Sequence, residues 1–331
     1  MSIGVQTMRS IKGLLAVFAT GVAAVFGAEI TGEGHRFIAG QDGKHLAIVD
    51  KKGEIEWSYK IGPNHDAHLL ANGNILMQTN YQNIIEITPN KESTIVWSYN
   101  AAKMNGNAPE EGKKGRPVEV HAFQRLADGN TMIVESGPSR IIEVDKDGKI
   151  AKEIKLTVKN RSTHSDTRNA RKLENGHYLV AHENDGTVRE YDADGKVVWE
   201  YEIQMGDKKG AGGHGPEGYG NHCYSAIRLP NGNTLIGGGN SHSVIEVNPA
   251  KEIVWKLEQN DLPGIQLAWV TQVQALKNGN IIVGNCHAGD KNPQIIEVTR
   301  DKKVVWSFKD FKNFGNSLPV SFVIDSEGSV R

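Results

Sequence analysis

Side chains able to do chemistry recur in this chain at one fixed spacing. His65 and His121 each stand seven residues before a turn residue, Asn72 or Asp128, and the same place before later turns holds Arg168, Tyr224 and Thr271. His222 and Trp269 share a place two residues earlier. In such a ring an imidazole can serve as nucleophile or general base, Arg168 can hold an anion, and Trp269 offers a flat surface to a sugar or aryl ring. The same side chains could instead cap strand starts and bond loop backbone. Several positions of different chemistry converging on one place favour a pocket.

A repeat positions these residues. Ser225 to Leu257 holds four short apolar runs separated by turn residues, the pattern of a four-stranded antiparallel blade. Asn231 and Gly232 are expected to form a type I′ hairpin, with positive φ at both. Turn glycines recur at Gly73, Gly129, Gly176, Gly232 and Gly279, each with Leu70, Leu126, Leu173, Leu229 or Leu276 three residues before it. Trp57, Trp97, Trp199, Trp255 and Trp306 end their units, and Glu86, Glu143, Glu190, Glu246 and Glu297 recur in the outer half. A residue present in every unit reads as scaffold, since a catalytic group is needed only once.

The fold expected is all-β: a six-bladed β-propeller of four-stranded antiparallel blades, in one domain over 28–331. Blades are placed at about 33–62 plus 317–331, 64–99, 120–156, 167–203, 222–257 and 270–308. The first unit has three strands, so a C-terminal strand within 317–324 is expected to complete it and remove an open sheet edge. In a four-stranded meander the tight Asn-Gly and Asp-Gly turns share one face, and the long loops 100–120 and 204–221 take the other. His65, His121, His164 and His222 each precede an innermost strand, and His182, His242 and His287 lie at or beyond the end of a second strand. All seven are expected on the long-loop face, the first four near the central channel.

The candidate catalytic residues are therefore His65, His121, His164 and His222. The candidate ligand-binding residues are Arg168, Tyr224, Trp269, Gln272 and His287. The same four histidines, with Gln272 nearby, could hold Mn, Fe or Zn, although no HxxxH or CxxC spacing marks a metal site. Cys223 and Cys286 fall in adjacent blades on one face; a disulfide between them is the first expectation, with two buried thiols or a Cys and His metal site as alternatives. The clusters Glu110, Glu111, Lys113, Lys114 and Asp207, Lys208, Lys209 read as solvated loop charge.

Composition narrows the function classes. The 38 Lys and Arg balance 39 Asp and Glu without a long single-sign run, so nothing asks for nucleic acid. Arg9 and Lys12 precede an apolar run over 13–27 that is too short and alanine-rich for a membrane span, and residues 1–27 are expected to be a signal peptide. Export to the periplasm or the medium, no membrane span after cleavage, a monomer, and a small-molecule or glycan ligand are expected.

EVDKDGKIAK, EYDADGKVVW and EVNPAKEIVW resemble the repeat of pyrroloquinoline-quinone-type propellers, in which a closing Trp docks neighbouring blades. HDAHLLANGNIL, HAFQRLADGNTM and HCYSAIRLPNGNTL resemble the His-led inner strands of arylsulfotransferase-like six-bladed propellers. The second likeness implies a histidine that takes a sulfuryl group from an aryl sulfate and passes it to a phenol, with neighbouring His, Arg and Asn on the sulfate oxygens. Pyrroloquinoline quinone itself is not expected, because the adjacent cysteine pair and the acidic calcium site of the quinone enzymes are missing. A metal-dependent lyase or hydrolase and a protein-interaction scaffold are the other readings of the same residues.

Overall fold

A computed structural model describes Met1 and residues 27–109 and 114–331. The expected signal peptide, apart from its two end residues, and the loop charges Glu110, Glu111 and Lys113 lie outside the described residues. Among the described residues no helix is long and apolar enough to cross a membrane.

Six antiparallel sheets form the ring. The inner strands are Ala67–Leu69, Glu119–Arg125, Asn169–Lys172, Ser225–Arg228, Trp269–Ala275 and Val320–Val323, and from Glu119–Arg125 round to Val320–Val323 each touches the next. Val320–Val323 pairs with Phe37–Gln41, completing the first blade as expected from its missing strand. A second closure is unexpected: Glu29–Gly32 pairs with Val304–Lys309 and adds a fifth strand to the last blade. The two ends of the chain thus knit the first and last blades together from both sides.

The turns correct one expectation. Gly73, Gly129, Gly176, Gly232 and Gly279 have φ between 82° and 89°, but the Asn or Asp before each does not have positive φ. Each glycine N–H donates to the leucine carbonyl three residues back, as Gly232 does to Leu229 at 2.9 Å. This is a type I turn with a left-handed glycine, not type I′. The Asn or Asp is selected by its side chain: Asn231 Oδ1 accepts from the Asn233 backbone N–H at 3.0 Å, and Asn72, Asp128, Asn175 and Asn278 do the same.

The repeated Trp and Glu join blades. Trp97, Trp199 and Trp255 donate Nε1–H to the carbonyls of Lys146, Pro249 and Arg300 in the outer turn of the following blade. Glu86 and Glu190 accept from Arg125 and Arg228 at the end of the next inner strand, and each arginine lies over the tryptophan of the same junction, at 4.9 and 5.3 Å. In the fifth junction the arginine slot is Ala275, and Arg300 supplies the charge to Glu246 instead. Between blades one and two the repeat puts Ile48 in the glutamate place and Leu69 in the arginine place. The partners are therefore lost together, which leaves no buried charge unpaired.

At the closing junction His35 takes the arginine's part, with Nε2 2.7 Å from Glu297 and Nδ1 3.0 Å from Asp325. The hydrogen bond to Glu297 raises its pKa above 6.5, against the effect of burial. Charged His35 therefore contributes stability in full below the unfolded value near 6.5, and this is lost as pH rises through the higher folded value. The melting-temperature advantage of the wild type over His35→Gln should be larger at about pH 5.5 than at about pH 8.5. An advantage that is flat or grows with pH would contradict this closure.

Candidate functional site

The inner-strand starts bring most of the expected ring together. His121 sits where the inner strand Glu119–Arg125 shifts register against its neighbour: Ala122 pairs with Val134 and Val120 with Glu135, leaving His121 as the extra residue of a bulge. A bulge re-aims its side chain. A similar shift occurs at Thr271 and Gln272, in the equivalent place of the last blade. Arg168 and Tyr224 each donate their backbone N–H to the second strand of their blade, to Ala181 and Gly237, so they too enter the channel at the strand start.

His65, His121 and His164 converge, with ring centroids 4.7, 5.4 and 6.1 Å apart. Tyr81, from the hairpin after Ile75–Asn80, stacks on His65 at 5.9 Å and meets His164 edge-on at 5.2 Å. His65 and His121 are buried, whereas the His164 side chain is 49% exposed. His164 rides on the loop before Asn169–Lys172. That loop is pinned by buried Asp166, which accepts from Ser162 N at 2.5 Å and Ser139 Oγ at 2.8 Å, and by Asp185, which accepts from Asn160 N at 2.7 Å.

The hydrogen bonds have a direction. Arg168 can only donate. Its Nη1 lies 3.0 Å from His65 Nε2, so that atom accepts and the His65 proton is on Nδ1. His65 Nδ1 is 3.0 Å from His121 Nδ1, which must then accept, placing the His121 proton on Nε2. His121 Nε2 is 3.1 Å from Glu119 Oε2 but lacks a well-directed partner. His164 Nδ1 donates to the same Glu119 oxygen at 2.8 Å, which leaves His164 Nε2 with a free lone pair.

Electrostatics keep this order. Burial, then the charge of Arg168, hold His65 well below 6.5, and the same causes bring His121 to about 3. Burial alone would raise Glu119, but the His121 ring 3.1 Å away and the hydrogen bond from His164 bring it to about 2, so it is a carboxylate at any working pH. Arg168 is itself buried and held by Glu183. Asp42 is pushed the other way: burial raises it, against hydrogen bonds from Asn64 N and Ser317 Oγ at 3.0 and 2.9 Å. Tyr224 Oη, Asn64 Nδ2 and Gln78 Nε2 are buried without a hydrogen-bond partner. Tyr224 lies under the Arg168 guanidinium, 5.8 Å from ring centroid to carbon, while Asn64 precedes His65 and Gln78 Oε1 accepts from the His65 backbone N–H. Such donors suit the oxygens of a bound oxyanion.

The other expected residues form two neighbouring groups. Trp269 packs with Tyr224 and Cys286, and its ring is met edge-on by His214 at 4.5 Å, with His287 stacked on His214 at 5.2 Å. His287 has φ of 60° and is depressed to about 4 by burial. His222 is with Trp269, at 6.4 Å, and not with the other three histidines. The loop 204–221 brings His214 to this side, and spacing along the inner strands carries no record of it. Gln272 lies inside the channel, where Nε2 donates to the His65 carbonyl at 3.1 Å.

The expected disulfide is corrected. Cys223 and Cys286 are both free and buried, the first with Sγ toward the His182 carbonyl at 3.5 Å and the second toward Asn316. Burial pushes both thiols far above their usual value, so neither is a reactive thiolate.

Glu119 was not among the expected site residues, although it stands two residues before His121, the same offset as His222 and Trp269. With His121 and His164 it places three possible metal-ligand atoms within 4.8 Å of one another. The proton assigned to His121 Nε2 would have to leave before that atom could bind a cation.

Comparison with known proteins follows the same lines. A family described as arylsulfotransferase matches residues 29–204. A protein of unknown function from Bacteroides caccae is 24% identical, with 88% of this chain and 100% of that chain covered and a TM-score of 0.70. A streptogramin B lyase is 13% identical over 86% of this chain and 88% of that one, with a TM-score of 0.54. A catalytically inactive virginiamycin B lyase from Staphylococcus aureus with quinupristin is 11% identical over 87% and 90%, with a TM-score of 0.52. These structural likenesses establish a shared propeller fold. No curated protein matches the sequence. Since the family match takes in more than half of the chain, this six-bladed propeller belongs to the arylsulfotransferase family.

Proposed function

We propose that the long-loop mouth binds a small sulfate ester and transfers its sulfuryl group through His164. The observation that carries this is the Glu119 and His164 pair: a carboxylate holds His164 Nδ1–H at 2.8 Å, so that Nε2 presents its lone pair on a half-exposed ring. In the first step Nε2 attacks sulfur, the sulfur to aryl-oxygen bond breaks, and the phenol leaves with a proton from solvent or a mouth acid such as Asp42. The sulfated imidazole is cationic at the ring, and Glu119 stabilises it through Nδ1–H. In the second step an acceptor phenol loses its proton and attacks sulfur, the sulfur to nitrogen bond breaks, and His164 is restored. Tyr224, Asn64 and Arg168 supply donors for the sulfuryl oxygens. Trp269, met edge-on by His214, supplies an aromatic wall beside them for an aryl group.

The test is release of phenol from an aryl sulfate with and without a second phenol. Transfer to the acceptor with ping-pong kinetics supports the reading; no turnover and no binding of aryl sulfate would overturn it.

A second reading is a divalent metal held by Glu119, His121 and His164, favoured by the undirected His121 Nε2 and the three close ligand atoms. Elemental analysis separates the two. Near-stoichiometric Mn, Fe or Zn that is lost in His121→Ala would select a metal-dependent lyase or hydrolase, because a metal on His164 occupies the environment its nucleophilic role requires.

A further inference from the structure

The channel has another end, on the tight-turn face. Asp66, next to His65, is fully buried and accepts from Arg171 Nη1 at 2.8 Å and Nη2 at 3.1 Å. Arg331 enters from the same side. Its guanidinium lies 3.4 Å from the Phe322 ring centroid, donates to the Ala67 carbonyl, and comes within 3.8 Å of Asp66. Beside them opens a recess of about 320 Å³ lined by His68, Gln124, Arg171, Gln274, Phe322 and Arg331.

The side-chain charges here do not balance. Two guanidiniums face one carboxylate. His68 adds no negative charge and stays neutral, because burial outweighs Asp66 and brings it to about 4. Where the recess runs on toward the junction of blades two and three, Arg125 is already matched by Glu86. Burial and then the neighbouring Arg171 lower Arg331 to about 9, against the pull of Asp66. Arg171 Nε is buried without a partner, as is Ser321 Oγ on the wall shared by Arg171 and Arg331. A second, largely enclosed guanidinium beside one carboxylate and an orphaned buried donor both carry a free-energy cost that a bound anion removes.

We propose that the tight-turn end of the channel is a second ligand site, taking a small oxyanion or carboxylate between Arg171 and Arg331. Guanidinium groups suit this ligand class because their N–H groups match paired oxygens. The site is independent of the sulfuryl-transfer mouth: it shares none of that mouth's residues and is reached from the opposite face.

Titration calorimetry of the full chain with inorganic sulfate, against chloride at equal ionic strength, tests it. Arg331→Gln is expected to weaken sulfate binding at least about tenfold, and Arg331→Lys to lose less, since it keeps the charge but not the fork. Asp66 retains Arg171 in both variants, so the channel stays paired; a melting curve for each checks this. His164→Ala should leave this binding unchanged. Equal sulfate affinity in Arg331→Gln and wild type, or chloride acting as well as sulfate, overturns the proposal. Loss of binding in His164→Ala but not in Arg331→Gln would also overturn it, by moving the anion to the other mouth, and would leave the transfer reading standing.

Discussion

His164→Ala should lower kcat/KM for an aryl sulfate by at least about a thousandfold and leave folding nearly untouched. The side chain is half exposed, and its one hydrogen bond, to Glu119, is replaceable by water. A surface substitution of this kind changes stability by about 0.5 kcal/mol or less, roughly 1 to 2 °C in a chain of this size. Glu119→Gln is the companion test. It keeps an acceptor for His164 Nδ1–H but removes the charge that stabilises the sulfated ring, so a smaller loss, about ten- to a hundredfold, is expected. Since Glu119 is held near 2, its own protonation should leave no acid limb in the wild-type pH profile above about pH 4. If His164→Ala kept its turnover while Tyr224→Phe lost it, the nucleophile would be assigned to the wrong group.

The second large effect concerns stability. Arg168→Met should cost about 3–5 kcal/mol, because it leaves the Glu183 carboxylate buried without its partner. In a chain of this size that is on the order of 10 °C in melting temperature. The double variant Arg168→Met, Glu183→Leu should recover most of the loss, since replacing both members of a buried pair by apolar groups is often nearly neutral. Activity should not return with stability. Arg168 fixes the His65 tautomer and, after burial, is the main cause of its low pKa, so its removal raises His65 and frees its proton to sit on either nitrogen. Thermal melts of the three proteins decide this. A double variant no more stable than Arg168→Met would remove the buried pair as the cause.

Much of the ring was legible because its signals are local. The Leu and Gly of the inner turn and the closing Trp recur in register, and each does a job visible within one blade or its neighbour. The strand Glu29–Gly32 was not legible, because its partner Val304–Lys309 lies at the other end of the chain and nothing in EITG differs from a loop lead-in. The Asn-Gly turns were placed correctly but typed wrongly: the pair fits a type I′ turn, and only the Leu to Gly hydrogen bond decides for type I with a left-handed glycine.

The site divides the same way. Equal offsets from the turn placed His65, His121, Arg168 and Tyr224 at one end of the channel, since a constant strand length fixes height in the ring. Glu119 shares its offset with His222 and Trp269 and was available to the same reasoning. His222 could not be sorted from the cluster, because the fold of the 204–221 loop, which inserts His214 against Trp269, leaves no mark in the strand spacing. The cysteines lie in adjacent blades, as spacing required, yet their Sγ atoms turn to different carbonyls, a matter of side-chain direction that spacing does not encode.

The most direct measurement is the mass of the protein after exposure to an aryl sulfate without acceptor, quenched in alkali and mapped by peptide. One added SO3 per chain is expected, on the peptide carrying His164, absent from His164→Ala and discharged by adding a phenol. Phenol release with no modified peptide, or an SO3 on His65 or His121 instead, would contradict it.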